Sequence, residues 1–394
     1  MTPAARVQAA IELLDEIIVA AGGGGAAADT IVSAYLRTRR YAGSKDRRAV
    51  REWVYRAVRR SGDIPASGRA AMLGLAEEEP ALRDLFDGSA HAPAPPLPDE
   101  PVAAARAVPA WIEPRFDPLI EAGELPALLE RAPLDLRANR LRGTIEDALA
   151  AFPEASPTPL SPLGLRLPEG TQVEPSPAWR SGLVEVQDEG SQLLALACRA
   201  SPGATVVDLC AGAGGKTLAL AAEMANEGRL IASDTDRGRL AKMRPRLERA
   251  GVGIAETRLL DPNRELEALD EFRGAADIVL VDAPCSGTGT WRRNPETRWR
   301  LTPDRLARLV ALQAHLLDVA AALVRPGGTL VYAVCSLLAE EGRGQAEAFG
   351  RRHSSLVSDC EHILWGRASG PGRLLSPAHD RTDGFFVARW QAPC

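Results

Sequence analysis

The sequence predicts an α/β protein with a mostly parallel sheet and an antiparallel final strand, preceded by a small α+β domain and an N-terminal all-helical domain. Three observations predict it. From residue 190 onward, continuous apolar strands alternate with amphipathic helices, the pattern of a parallel sheet covered on both faces. Residues 109–185 carry short alternating strands among prolines. Residues 5–76 show helical spacing alone.

At 394 residues the chain is too long for one compact core, and 45% apolar with 25% charged residues is the composition of a globular protein. Val7, Ile11, Leu14 and Ile18 fall on one helical face; Val50, Trp53, Val54, Ala57 and Val58 do the same opposite a row of arginines. Asp29 is placed to cap a helix between them, and a short apolar helix lies around 69–76. The resulting bundle spans 1–88. "DGSAHAPAPPLPDEP" (87–101) has no period, and 89–108 is expected to be an extended Pro-rich linker. In the α+β domain, 134–140 alternates as a strand, 144–152 as a helix, and "LGLRLP" and "GLVEVQ" as further strands. The third domain, 186–394, opens with a helix at 190–200. Strands follow at 205–210, 229–234, 255–260, 277–282 and 328–335, with helices at 215–226, 236–250 and 303–324 and a last strand at 384–390. Thr302 and Pro303 suit the start of the long helix, and "RPGG" its stop.

Glu12, Asp15 and Glu16 break the first apolar stretch, which argues against a secretory leader, and no uninterrupted membrane-spanning run stands out. A cytoplasmic monomer without a membrane partner is expected. The six cysteines lack CxxC or Cys/His spacing, so neither a disulfide framework nor a metal site is expected. Net charge is −5, yet 37–60, 236–249 and 291–301 are strongly basic, and local patches of that kind can hold phosphates.

"DLCAGAGGKT" (208–217) follows the first strand of the sheet and opens a helix, the place where such sheets bind nucleotide-like ligands. A P-loop would have glycine where Cys210 stands, and a dinucleotide loop would have glycine where Thr217 stands. S-adenosylmethionine (AdoMet) asks for a looser turn, together with an acidic residue ending the second strand to accept ribose hydroxyls. Asp234 provides that residue, and Asp261 after the third strand is placed toward the adenine. NAD would also use Asp234, so the loop gives AdoMet a modest lead.

"DAPCSGTGTWRRNPE" (282–296) and "GGTLVYAVCSL" (328–338) each deliver a Cys-Ser pair at the carboxyl end of a strand. Methylating C5 of cytosine requires a thiolate to add to C6, and an acid near N3 or the exocyclic amine to stabilise the adduct. Asp282, Cys285 and Cys335 supply those parts, and the residues alone leave open which cysteine attacks.

These segments, with "VQDEGSQL", "ASDTDRGRL", "LLDP" and "TDGFFVARW", resemble the RNA (cytosine-5) methyltransferases of the Nop/Sun family, most of all the bacterial ribosomal small-subunit methyltransferase B branch. The resemblance covers roughly 109–394. "LDLRANRL" resembles the family's RNA-binding segment, and "SKDRRAVREWVYRAVRR" its NusB-like helical domain, whose role is RNA binding. It implies a Rossmann-like class I AdoMet-dependent methyltransferase fold for 186–394. AdoMet would lie along Cys210, Ala211, Gly212, Ala213, Gly214, Gly215 and Lys216, with Asp234 on ribose, Asp261 near adenine and Asp282 between cofactor and base. It assigns Cys335 as nucleophile and Cys285 to adduct resolution, whereas DNA cytosine-5 enzymes attack from the Pro-Cys position. Arg292, Arg293 and Arg298 follow the catalytic loop closely enough to be RNA phosphate contacts. Gly212-Ala213 replaces the family's Ala-Pro, which loosens the loop, and Val334 replaces a threonine; the helical domain is shorter and richer in glycine than usual. The expected activity is 5-methylcytosine formation in 16S rRNA. A tRNA-directed enzyme, a non-catalytic RNA-binding factor and a P-loop NTPase are the alternatives.

Overall fold

A computed structural model describes all 394 residues, Met1–Cys394. The chain divides into two compact units: Met1–Phe116, Glu121–Glu130 and Thr290–Pro303 form one, and Asp117–Ile120, Arg131–Gly289 and Asp304–Cys394 the other.

The first unit is built on four helices, Pro3–Gly23, Ala28–Thr38, Ser44–Arg60 and Gly68–Glu78. Thr2 Oγ1 accepts the Ala5 N–H at the start of the first helix, and Gly24, at φ +71°, ends it. Val7, Leu14 and Ile17 are buried with Val50, Val54 and Val58 and with Met72 and Leu75, while Ile18 and Trp53 pack at the margin. Asp29 lies in the first turn of its helix, where it accepts the Tyr55 hydroxyl, and Ala27 takes the cap position. The Pro-rich stretch is strapped to the helices rather than free. Ala103 N–H donates to Ala70 O at 3.0 Å and Arg106 N–H to Arg60 O at 2.9 Å, because amides lying on a protein surface satisfy themselves on nearby carbonyls.

Residues 290–303, assigned from the sequence to the third domain, pack with this helical unit. The Arg298 guanidinium donates to Val58 O, Arg59 O and Ala107 O, Trp299 Nε1 to Ser61 O at 2.8 Å, and Glu296 accepts the Ala28 N–H at 3.2 Å. Trp291 meets Phe116 edge to face at 6.3 Å.

In the second unit, strands β1 (Leu134–Ala138), β2 (Ser156–Pro157), β3 (Gly164–Leu167) and β4 (Val184–Val186) make an antiparallel sheet of order β2-β3-β1-β4. The helix Ile145–Ala151 covers it, opened by a capping box of Thr144 and Asp147. The α+β region is therefore present, and its sheet belongs to the same compact unit as the larger one.

The larger sheet contains β5 (Thr205–Asp208), β6 (Arg229–Asp234), β7 (Ala255–Leu259), β8 (Ala276–Asp282), β9 (Val324–Val334), β10 (Val357–Ser358), β11 (Arg367–Ser369), β12 (Gly372–Leu375) and β13 (Phe385–Gln391). Its order is β11-β12-β13-β9-β8-β5-β6-β7, with β10 on β13. Strands β5 to β9 are parallel and β13 is antiparallel to β9, as the sequence predicts. The β11–β12 hairpin is not anticipated. "RPGG" does follow the end of the long helix, but it already belongs to β9, whose register against β8 shifts between Ala276 and Ile278. The chain leaves β5 toward β6 and β7 on one side and returns to β8 and β9 on the other. The carboxyl ends of β5 and β8 therefore flank a topological switch point, where open α/β sheets bind ligands.

The helix Pro303–Leu323 is long and apolar enough to cross a membrane by length and composition, contrary to the sequence expectation. Its apolar face is accounted for inside the fold: Leu306, Leu316, Leu317, Ala320 and Leu323 are buried, and Gln313 Nε2 donates to Pro284 O at 2.9 Å, fixing the helix to the loop after β8.

Candidate active site

Every residue of the expected cofactor and catalytic sets lies at the carboxyl edge of the large sheet. The loop Cys210–Lys216 leaves β5 and enters the helix Gly215–Glu223. It is pinned to β6 by Ala211 N–H donating to Ser233 O at 2.9 Å and by Gly212 N–H donating to Asp234 Oδ2 at 2.9 Å. Arg246 donates to Ala213 O at 2.7 Å and Gln187 Nε2 to Gly215 O at 3.3 Å. Gly212 and Gly214 have φ of +56° and +87°, the left-handed region that glycine enters without strain. A Cβ at Gly214 would fall 2.5 Å from Met243 Cγ, whereas one at Gly212 would meet nothing within 4 Å. The loop backbone is thus packed from behind and open in front, as a ligand-contacting turn requires.

Asp234, at the end of β6, also accepts the Asp236 N–H at 2.7 Å, so its carboxylate is fixed in orientation. Asp261 follows β7 and is exposed. Asp282 ends β8 and accepts from Lys216 Nζ at 2.7 Å. Burial alone would lower the lysine's pKa, but the charge and hydrogen bond of Asp282 outweigh it and raise the value, so the pair is ionic. Beneath the loop, fully buried Asp208 accepts the Thr217 hydroxyl at 2.7 Å, and burial pushes its carboxyl up to about 7.

The two cysteines meet: Cys285 Sγ and Cys335 Sγ are 3.3 Å apart. The hydrogen bond to Cys335, with burial added, raises the Cys285 thiol well above its ordinary value. Cys210 is also raised, by burial and by the surrounding carboxylates.

Sequence reasoning missed what holds the pair. Fully buried Glu341 accepts the Ser286 N–H at 2.8 Å and the Gln313 amide at 2.9 Å on Oε1, and the Ser286 and Ser336 hydroxyls on Oε2. The only signal in the sequence is an acidic residue a few positions after the second Cys-Ser pair, which reads as surface.

The arginines are placed otherwise than expected. Arg298 is 1% exposed and spends its guanidinium on backbone carbonyls, so it is an internal clamp and not a phosphate contact. Arg292 is buried and Arg293 half-buried, both in segment 290–303 of the helical unit. All of "LDLRANRL" but Leu134, Arg140 and Leu141 is likewise turned inward, and Arg140 is exposed. Asp135 pairs with Arg166 at 2.7 Å, Arg137 donates to Gln187 at 2.7 Å, and the Asn139 amide spans Gly182 O and Ala250 O.

A mostly parallel sheet of this order, closed by an antiparallel strand, with a Gly-rich loop after β5 and an acidic residue ending β6, defines a class I methyltransferase fold. Residues 195–391, half of the chain, match the family described as 16S rRNA methyltransferase RsmB/F, and the chain belongs to that family. Ribosomal RNA small subunit methyltransferase B of Salmonella typhi is 36% identical over 264 residues, which are 66% of this chain and 60% of that protein. The chain thus spans about 60% of the length of the curated relatives it matches. Among solved structures, PH0851 aligns over 99% of both chains with a TM-score of 0.76 and 23% identity. A methyltransferase homolog protein from Pyrococcus horikoshii aligns with a TM-score of 0.60 and 27% identity, covering 68% of this chain and 89% of that one.

Proposed function

We propose that this chain is an AdoMet-dependent RNA cytosine-5 methyltransferase, forming 5-methylcytosine in 16S rRNA as a cytoplasmic monomer. The observation that carries the reading is the pair of thiols 3.3 Å apart at the ends of adjacent parallel strands, β8 and β9, with the Lys216–Asp282 ion pair at the end of β8.

The residues present fit AdoMet. Gly212 leaves the turn open and Asp234 has a fixed carboxylate; Asp234 would take the ribose hydroxyls, Asp261, one strand further, would meet the adenine, and Asp282 would stand between cofactor and base. Bound there, AdoMet supplies an electrophilic methyl group. Cys335 is the nucleophile: its thiolate adds to C6 of an unstacked cytosine and makes C5 nucleophilic. Asp282 faces the ring edge, with Lys216 balancing its charge. After methylation a base must take the C5 proton so that the C6–S bond breaks and the thiolate of Cys335 returns. Cys285 is the group within reach. With its own proton released to solvent, the Cys285 thiolate takes the C5 proton while the C6–S electron pair returns to Cys335 as thiolate and the methylated base leaves.

Cys335→Ser is expected to abolish transfer of labelled methyl from AdoMet to 16S rRNA, and retained transfer would overturn the assignment. Mapping 5-methylcytosine in cells with and without this protein is expected to show a lost rRNA position. A lost tRNA position would move the substrate within the family, and no loss with no AdoMet binding would leave a non-catalytic RNA-binding factor.

A further inference from the structure

Glu341 has no place in the chemistry just described, yet its surroundings are among the most constrained in the molecule. It lies in the turn between β9 and the helix Arg343–Arg352 and is 0% exposed. A buried carboxylate is costly unless its lone pairs are used. Here four donors use them. Two come from Ser286, the residue after Cys285, through its N–H at 2.8 Å and its hydroxyl. One comes from Ser336, the residue after Cys335, at 2.6 Å, and one from Gln313 at 2.9 Å.

The two serine hydroxyls lie 3.1 Å from each other on the same carboxylate oxygen. Gln313 extends the link by donating from the same nitrogen to Pro284 O at 2.9 Å. Thr288 closes the far side, approaching Ser336 Oγ at 3.2 Å and accepting the Leu337 N–H at 2.8 Å. One side chain therefore grips both Cys-Ser turns immediately beyond each sulfur. The strands fix where the turns begin, and Glu341, from outside both turns, bonds to each directly after its cysteine.

We propose that Glu341 is the positioning residue of the thiol pair. Its carboxylate, holding Ser286 and Ser336 at once, sets the separation and orientation of Cys285 and Cys335. The inference rests on those thiols being the reacting pair, and its test has an arm that does not depend on catalysis.

Two variants of the full chain are compared with the wild type, Glu341→Ala and the double variant Ser286→Ala/Ser336→Ala. The second removes the hydroxyl links but leaves the carboxylate its Ser286 N–H and Gln313 donors, so it decides the matter if Glu341→Ala does not fold. Diamide, which takes two electrons and two protons from a pair of thiols as they join, is added, and the Cys285–Cys335 cross-link is followed by peptide mass. Cross-linking is expected to slow by about tenfold in either folded variant, the factor set by losing roughly one charge-assisted hydrogen bond. In methyl transfer, kcat is expected to fall by a similar factor while KM for RNA is unchanged, since the carboxylate is fully buried. Wild-type cross-linking rates in the folded variants would overturn the role of Glu341. Slowed cross-linking alongside a wild type that methylates no RNA would overturn the functional reading and uphold the positioning role.

Discussion

Lys216 Nζ donates to Asp282 Oδ2 at 2.7 Å, joining the first turn of the helix after the Gly-rich loop to the end of β8. The lysine side chain is 11% exposed and the aspartate 30%, so the pair is shielded on one side and wetted on the other. Removing one partner of a buried pair strands the other charge, at a cost that partial hydration reduces here to about 1–3 kcal/mol. Lys216→Met is expected to lower the unfolding free energy obtained from urea titration by that amount near neutral pH. The folded pKa of Lys216 is raised, so the pair's contribution is complete below the unfolded value of 10.5 and is lost as pH rises through the folded one. The gap between wild type and variant should therefore be flat from about pH 7 to 9 and narrow only above roughly pH 10.5. A gap that narrows below pH 9 would contradict the ionic pair.

Arg298 separates a structural role from an RNA-contact role. Arg298→Ala leaves the carbonyls of Val58, Arg59 and Ala107 without their donors, an expected loss of roughly 2–4 kcal/mol in unfolding. A phosphate contact would instead appear in binding, as a change of about one in the slope of log K against log salt. That slope is expected to stay at the wild-type value, and a drop of one with unaltered stability would restore the sequence expectation.

The contrast between Arg298 and the sheet shows what the sequence could say. Strands such as "DIVLVD" are legible because burial on both faces demands an unbroken apolar run, and the loop after β5 because only glycine enters φ +56° and +87° freely. Cys285 and Cys335 are legible as strand-end cysteines, and strand adjacency then brings them together. Buried polar groups are the opposite case. Nothing local distinguishes Arg298 from a surface arginine, or Glu341 from its exposed-looking neighbours in "AEEG". Their roles depend on partners 240 residues away for Arg298 and 55 for Glu341. The β11–β12 hairpin is illegible for a simpler reason: its strands, Arg367–Ser369 and Gly372–Leu375, are too short to show a period.

Asp208 makes a pH-dependent prediction of the same sign as Lys216 in a lower window, because its folded pKa is also raised. Burial raises its carboxyl to about 7, with the Thr217 hydrogen bond acting against that and the charge of Asp282 adding to it. An unfolded aspartate titrates near 3.9. Between roughly pH 4 and 7 the native state keeps a proton the unfolded chain has released, so stability falls as pH rises through that window and levels off above it. Asp208→Asn removes this penalty. Its stability relative to wild type is expected to rise across the window by up to ~1.4 kcal/mol per pH unit and stay constant beyond. Urea midpoints at pH 4.5, 6 and 8 would show it, and a constant difference would mean the carboxylate ionises at its ordinary value.

Cys285→Ala tests the division of labour between the two thiols. Cys285 Sγ lies 3.3 Å from Cys335 Sγ, close enough to take the C5 proton once Cys335 has formed the adduct. Without it the C5 proton has no nearby acceptor, and the C6–S bond should persist. The variant is expected to accumulate a protein–RNA species that survives denaturing electrophoresis and disappears on nuclease digestion. Cys335→Ser, and the double variant, should form none. An adduct in Cys335→Ser but not in Cys285→Ala would reverse the roles and make the Pro-Cys cysteine the nucleophile. Rapid turnover by Cys285→Ala without any trapped species would show that another group takes the proton.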